Sequence, residues 1–114
     1  MRFQEYITEG IKVYLDDERL TPKGWIGVKT PSEVIKLLKS KNVTHLSLDH
    51  DLGDDKNIGT GYDVLNWIEE QVYTKENFKC PNITIHTANP SAMRKMTLAL
   101  KSIKRKCKWD FKNI

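Results

Sequence analysis

Short β-rich runs alternate with segments of helical spacing along most of this chain, and that alternation limits the fold more than any other feature. Ile11-Lys12-Val13-Tyr14-Leu15 is rich in strand formers and stops at two carboxylates. Residues 16–24 read as a loop punctuated by Pro22 and Gly24. Trp25-Ile26-Gly27-Val28 is a short second strand. Thr30 caps a predicted helix with Pro31 at its first position and Glu33 in its first turn, and Val34, Leu37 and Leu38 share one face of it. His45-Leu46-Ser47-Leu48 is a third strand, again ending in acid. After a polar loop to Thr60 comes a helix with Val64, Leu65, Trp67, Ile68 and Val72 as its apolar set. Pro81-Asn82 opens a fourth strand, Ile83-Thr84-Ile85-His86. Asn89, Pro90 and Ser91 start a last helix striped by Met93, Met96, Leu100 and Ile103. Lys108-Trp109-Asp110-Phe111 is predicted as a short edge strand.

Strands joined through helices lie parallel, so the expectation is an α/β fold, an open parallel sheet with helices on both faces. At 114 residues it is one domain. The predicted strand order is the flavodoxin-like 2-1-3-4-5. In that order ligands bind beyond the carboxyl ends of the first and third strands, where the winding reverses.

Those two ends carry the acids. Asp16-Asp17 closes the first strand and Asp49-His50-Asp51 the third. Up to four carboxylates then share one crevice, where they repel one another unless a cation neutralises them. Such oxygen ligands suit Mg2+ best, with Mn2+ or Ca2+ as alternatives. Any single Asp here is equally readable as a cap or turn residue. His50 lies between two of the acids, and His86 ends the strand next to the third. Either histidine suits metal binding, phosphate contact or acid–base work; the plain alternative for His86 is a strand histidine satisfied by backbone. His45, at the other end of its strand, reads as structural. Thr87 and Asn89 lead into a helix N-terminus and form an anion seat, or else merely cap it. Arg19, in the loop after Asp17, is placed to clamp a phosphate.

Charge is unevenly spread. Residues 91–114 carry eight Lys or Arg against Asp110 alone, whereas residues 1–90 are net −3. The basic segment suits an anionic ligand, nucleic acid or a protein partner, or is simply a solvated helix face. Cys80 and Cys107 share no metal-ligand spacing, and nothing in the pattern asks for a disulfide. No stretch approaches the roughly 20 apolar residues of a membrane span. A soluble protein in a reducing, cytoplasmic setting is therefore expected.

At the acidic strand ends the sequence resembles the receiver domains of response regulators. That resemblance implies a metal-binding acid pair at Asp16 and Asp17, a phosphate-accepting position at Asp49 and the strand-end hydroxyl at Thr87. It also shows departures: a loop where the first helix belongs, His50-Asp51 after the acceptor position, no Lys-Pro pair (Lys112 is a loose candidate for its lysine), and no final helix. A closer similarity is to cyclic-phosphate-processing receiver domains. It runs through Leu15–Arg19 with Pro22 and Gly24-Trp25, through Ser47–Gly53, through Thr60–Glu70, and through Ile85–Pro90 with Met93. It implies a role in binding or hydrolysing cyclic phosphates, such as RNA ends or cyclic nucleotides.

Residues 1–10, with Ile7-Thr8-Glu9, resemble the capsid-targeting propeptides of large contractile-tailed phages. That would make this a phage protein packaged in the capsid and delivered to the host cytoplasm, with a leader over 1–10 and the receiver-like domain over 11–114. An ordinary amphipathic turn packing on the domain is the alternative.

The expected activity is that of a metal-dependent phosphoesterase or phosphate-binding domain. Asp16, Asp17, Asp49 and Asp51 are the metal ligands, with Asp51 also suited to orienting a histidine. Asp49, His50 and His86 are the catalytic groups, and Arg19, Thr87 and Asn89 bind the substrate. The alternatives are a non-catalytic signalling module and a nucleic-acid binder using the basic C-terminal segment.

Overall fold

The computed structural model describes residues 10–54 and 56–112. The predicted leader therefore lies outside the described residues, apart from Gly10. The elements run β1 Ile11–Leu15, β2 Ile26–Val28, α1 Pro31–Ser40, β3 Val43–Leu48, α2 Gly61–Thr74, β4 Asn82–Ile85 and α3 Pro90–Lys112. The four strands form one parallel sheet in the order β2-β1-β3-β4. The α/β class and the switch point between β1 and β3 are as expected. The fifth strand is not there. From Ser91 onward no Gly or Pro interrupts the chain, and α3 continues through residues 108–111.

Helices on both faces are not what the sheet carries. Val13, Leu46 and Ile83 pair across three strands, as do Leu15, Leu48 and Ile85. All but the partly buried Ile85 are buried, and they join Val34, Val64, Leu65, Ile68, Met96 and Ile103 from the helices in one core. Each fully buried Leu or Ile there contributes about 1.5–3 kcal/mol. The alternate residues point the other way. Among them Lys12, Gly27 and Thr84 are exposed, and Tyr14 and His45 are partly exposed. Among the described residues no helix covers that face. The reason is local: the chain between β1 and β2 is a loop instead of a helix, and α3 is the last element among the described residues.

Capping is well satisfied. Thr30 accepts from the Glu33 amide, and Glu33 reaches back to the Thr30 amide at 3.0 Å. The Lys29 amide, with the Thr30 hydroxyl and amide, holds the Glu33 carboxyl below its usual range against a modest opposing effect of burial. Thr30→Ala is expected to cost about 1 kcal/mol at neutral pH in thermal melts. Only the part that comes from the Thr30 hydroxyl on the depressed Glu33 carboxylate depends on pH: it is complete above the usual glutamate range and fades as pH falls through the folded value, so the gap between wild type and variant should narrow in acid without closing.

Cys80 and Cys107 form a disulfide with their Cα atoms 6.2 Å apart. This corrects the expectation of unpaired cysteines. Only the length of α3 brings Cys107 back over the start of β4, and sequence spacing carries no sign of that. Beside the bridge lies a cavity of about 750 Å3, lined by Pro81, Ile83, Leu100, Lys101, Lys104 and Arg105 among others. No helix among the described residues is long and apolar enough to cross a membrane.

Candidate metal and phosphate site

Hydrogen bonding continues one residue past each strand. The Asp16 amide donates to Val28 O, that of Asp49 to Leu15 O and that of His86 to Leu48 O. Asp16, Asp49 and His86 are thereby held in a row at the carboxyl edge of the sheet. Asp17 follows directly, and one carboxylate oxygen from each of Asp16, Asp17 and Asp49 falls within a 4.8 Å cluster. α2 begins against this row: the Gly61 amide donates to His50 O, and a Cβ at Gly61 would overlap the carbonyl oxygen of Asp49. Only glycine lets the helix start so close to the acid.

The acids differ electrostatically. Burial works against ionisation of Asp16, but the Arg19 and Glu18 amides, the Arg19 guanidinium and His86 outweigh it and hold its carboxyl below the usual range. Asp49 is pushed up, first by burial and then by the charge of Asp16, with the His50 amide opposing. An acid held ionised beside one reluctant to ionise is the arrangement a cation relieves. The three oxygen donors fit a hard divalent ion, and Asp16, Asp17 and Asp49 would hold it.

His86 is more constrained than its sequence position suggests. Its Nε2 lies 3.0 Å from Asp16 Oδ2 and its Nδ1 2.6 Å from Ser47 Oγ. Thr84 donates to Ser47 at 3.3 Å. Since ionised Asp16 only accepts, Nε2 carries a proton towards it, and Nδ1 shares a hydrogen bond with the Ser47 hydroxyl. Arg19 closes the circuit, donating through one nitrogen to both Asp16 and the His86 carbonyl oxygen. Ser47 was not among the predicted site residues. The only signal for it was a hydroxyl between two leucines, Leu46 and Leu48, aligned with Thr84 in the next strand.

His50 and Asp51 form a separate pair, Nδ1 to Oδ1 at 2.7 Å. Asp51 also accepts from Asn89 at 3.4 Å and lies outside the three-carboxylate cluster. Among the described residues Nε2 of His50 has no partner. Since no unpartnered side-chain nitrogen there is buried, it meets solvent. Thr87 and Asn89 are engaged in the turn before α3: Thr87 Oγ1 accepts from the Asn89 amide and Asn89 Oδ1 from the Ala92 amide. His45 bonds Thr44 and stands away from the acids.

Residues 11–102 match the family model of the cyclic-phosphate processing Receiver domain. The chain belongs to this family. No curated protein and no solved structure matches it. The match extends from β1 into α3 and so spans every residue of the acidic cluster and the His50–Asp51 pair. The basic cavity is a different place: it lies by Thr44 and Asn82, where strands of this cyclic-phosphate processing Receiver domain begin.

Proposed function

We propose that the acidic edge binds a cyclic phosphate together with a divalent cation and opens it by hydrolysis. The observation that carries this is the three-carboxylate cluster beside a His50–Asp51 pair whose second ring nitrogen faces solvent. When bound, the cation supplies charge neutralisation at the phosphoryl oxygens and acidifies a water. His50, oriented by Asp51, takes the proton of the attacking water at Nε2. Water oxygen bonds to phosphorus, one ester P–O bond of the ring breaks, and His50 returns the proton to the departing oxygen, leaving a phosphomonoester. Arg19 offers positive charge at the rim. His86, with both nitrogens occupied, positions Asp16 rather than moving protons.

The test is turnover of RNA ending in a 2′,3′-cyclic phosphate, and of cyclic nucleotides, with magnesium or manganese. His50→Gln is expected to lower kcat by about 100- to 10,000-fold, the usual worth of a general acid–base, while leaving cation binding in place. Absence of both turnover and binding in the wild type would overturn the reading.

A second reading is favoured by Lys101, Lys104 and Arg105 around the distal cavity. There the domain would bind nucleic acid through its basic segment. That binding would weaken steeply with salt and ignore Asp49→Ala.

A further inference from the structure

Where α3 passes the start of β4 it carries two adjacent stripes. Leu100, Ile103 and Cys107 recur at helical spacing; Ile103 and Cys107 are buried and Leu100 is partly buried. Next to them round the helix, Lys101, Lys104 and Arg105 form a second stripe, and all three are exposed. Both stripes line the cavity of about 750 Å3 beside the disulfide. From the strand side come Pro81 and Ile83, and proline brings no N–H to that wall. Thr44 also lines it, but its hydroxyl is engaged with Ile11 O and His45 Nδ1. Cys80 and Cys107 belong to the lining themselves, so their bond ties helix to strand at this place. Lysine stems often fold over apolar surface and seal it. Here a hollow remains beside them, and its size and mainly apolar lining are those of a small-molecule site.

We propose that this cavity binds a free amphiphilic anion, a carboxylate on an aliphatic chain, with the chain against Pro81, Ile83, Leu100 and Ile103 and the carboxylate among the three cations. The site is separate from the acidic edge and does not depend on the phosphate reading of it. Charge selects the head group. Among the described residues the lining holds three cations and no carboxylate, and none of those cations forms an ion pair with another described residue. Shape and chemistry select the body. Single-stranded nucleic acid is held by stacking its bases on aromatic rings, and no aromatic ring is among the described lining residues. A bilayer is met by an apolar face that enters it, whereas these aliphatic side chains line a hollow that one chain can enter.

The experiment is an amide-resolved NMR titration of the full, oxidised chain in chelator with decanoate, hexanoate and decanol. Decanoate is expected to move the amides of Ile83, Leu100 and Ile103 and to leave that of Asp49 in place. It should bind about 10-fold or more tightly than hexanoate, since each added methylene that is buried is worth up to about fourfold. It should bind about fivefold or more tightly than decanol at low salt, and this margin should shrink as salt rises. The triple variant Lys101→Gln, Lys104→Gln, Arg105→Gln should lose the preference for decanoate over decanol and keep that over hexanoate, with a circular-dichroism melt to check its fold. Equal wild-type affinity for decanoate and decanol would overturn the proposal, as would equal affinity for decanoate and hexanoate. So would an absence of decanoate binding; in that case binding to phosphatidylglycerol vesicles would assign the basic stripe to a membrane surface, and salt-sensitive binding to RNA would assign it to nucleic acid.

Discussion

Asp49→Asn is expected to make the metal-free protein more stable and the cation-loaded protein inactive. Asp49 is only 8% exposed, and both burial and the neighbouring Asp16 charge oppose its ionisation. A neutral amide of the same shape removes that cost, with a gain of about 1–2 kcal/mol, as in other relieved functional sites. The pH dependence has a definite sign. A carboxyl whose folded pKa is raised takes up a proton in the folded state first, so its destabilising effect is full above the folded pKa. It vanishes as pH falls below the unfolded value. In chelator, the gap between variant and wild type should therefore widen from acid to neutral pH and then level off. With magnesium the order reverses. Wild type gains stability by ligand linkage, about 2.7 kcal/mol at a hundredfold excess over Kd, and the variant gains little. Turnover should fall by more than the roughly 10- to 100-fold that losing a mere supporting partner costs. Thermal melts with and without magnesium decide it: identical cation-induced shifts in the two proteins would remove Asp49 from the site.

Opening the Cys80–Cys107 bridge is expected to have the largest effect on stability. The bridge closes a sequence separation of 27 residues. Chain-entropy arguments give such a loop about 3.5 kcal/mol of stabilisation. For a domain of this size that is a fall in Tm on the order of 15 °C. Reduced wild type and the Cys80→Ala, Cys107→Ala double variant should melt together, both well below the oxidised protein. A reductant that frees both thiols without moving Tm would show that packing of α3 alone holds it in place. The acidic edge lies at the opposite end of the sheet, so cation binding at a temperature where the reduced protein stays folded should survive.

The acidic site was legible in the sequence because topology alone brings it together. Two strands that pair in parallel and both end in Asp must place those acids side by side, whatever the side chains do. The same reasoning placed His86 beside them. It did not reveal that Ser47 and Asp16 occupy both nitrogens of that ring, since this depends on rotamers across three strands. Asp51, which follows Asp49 closely, was readable both as a fourth ligand and as a residue that orients a histidine. The turn after the strand aims it at His50 and Asn89, in keeping with the second of these readings. The predicted fifth strand had alternating aromatic and polar residues in its favour, but no breaker separates it from the preceding helix. The reduced first and last helices were legible in the sequence, but the bare sheet face that follows from them was not, because helical segments cannot by themselves say which side of a sheet they cover. Cys80 and Cys107 meet only because α3 runs the length of the sheet.

The truncated sheet has one more consequence. Its border strands are β2, with three residues, and β4, with four, and Pro81 immediately precedes β4. A passing chain would find few unpaired backbone groups on either margin and a proline where pairing would begin. Strand-by-strand polymerisation and capture of extended peptides are both disfavoured by such short margins. Among the described residues the sheet therefore has no sticky rim, although it lacks a fifth strand.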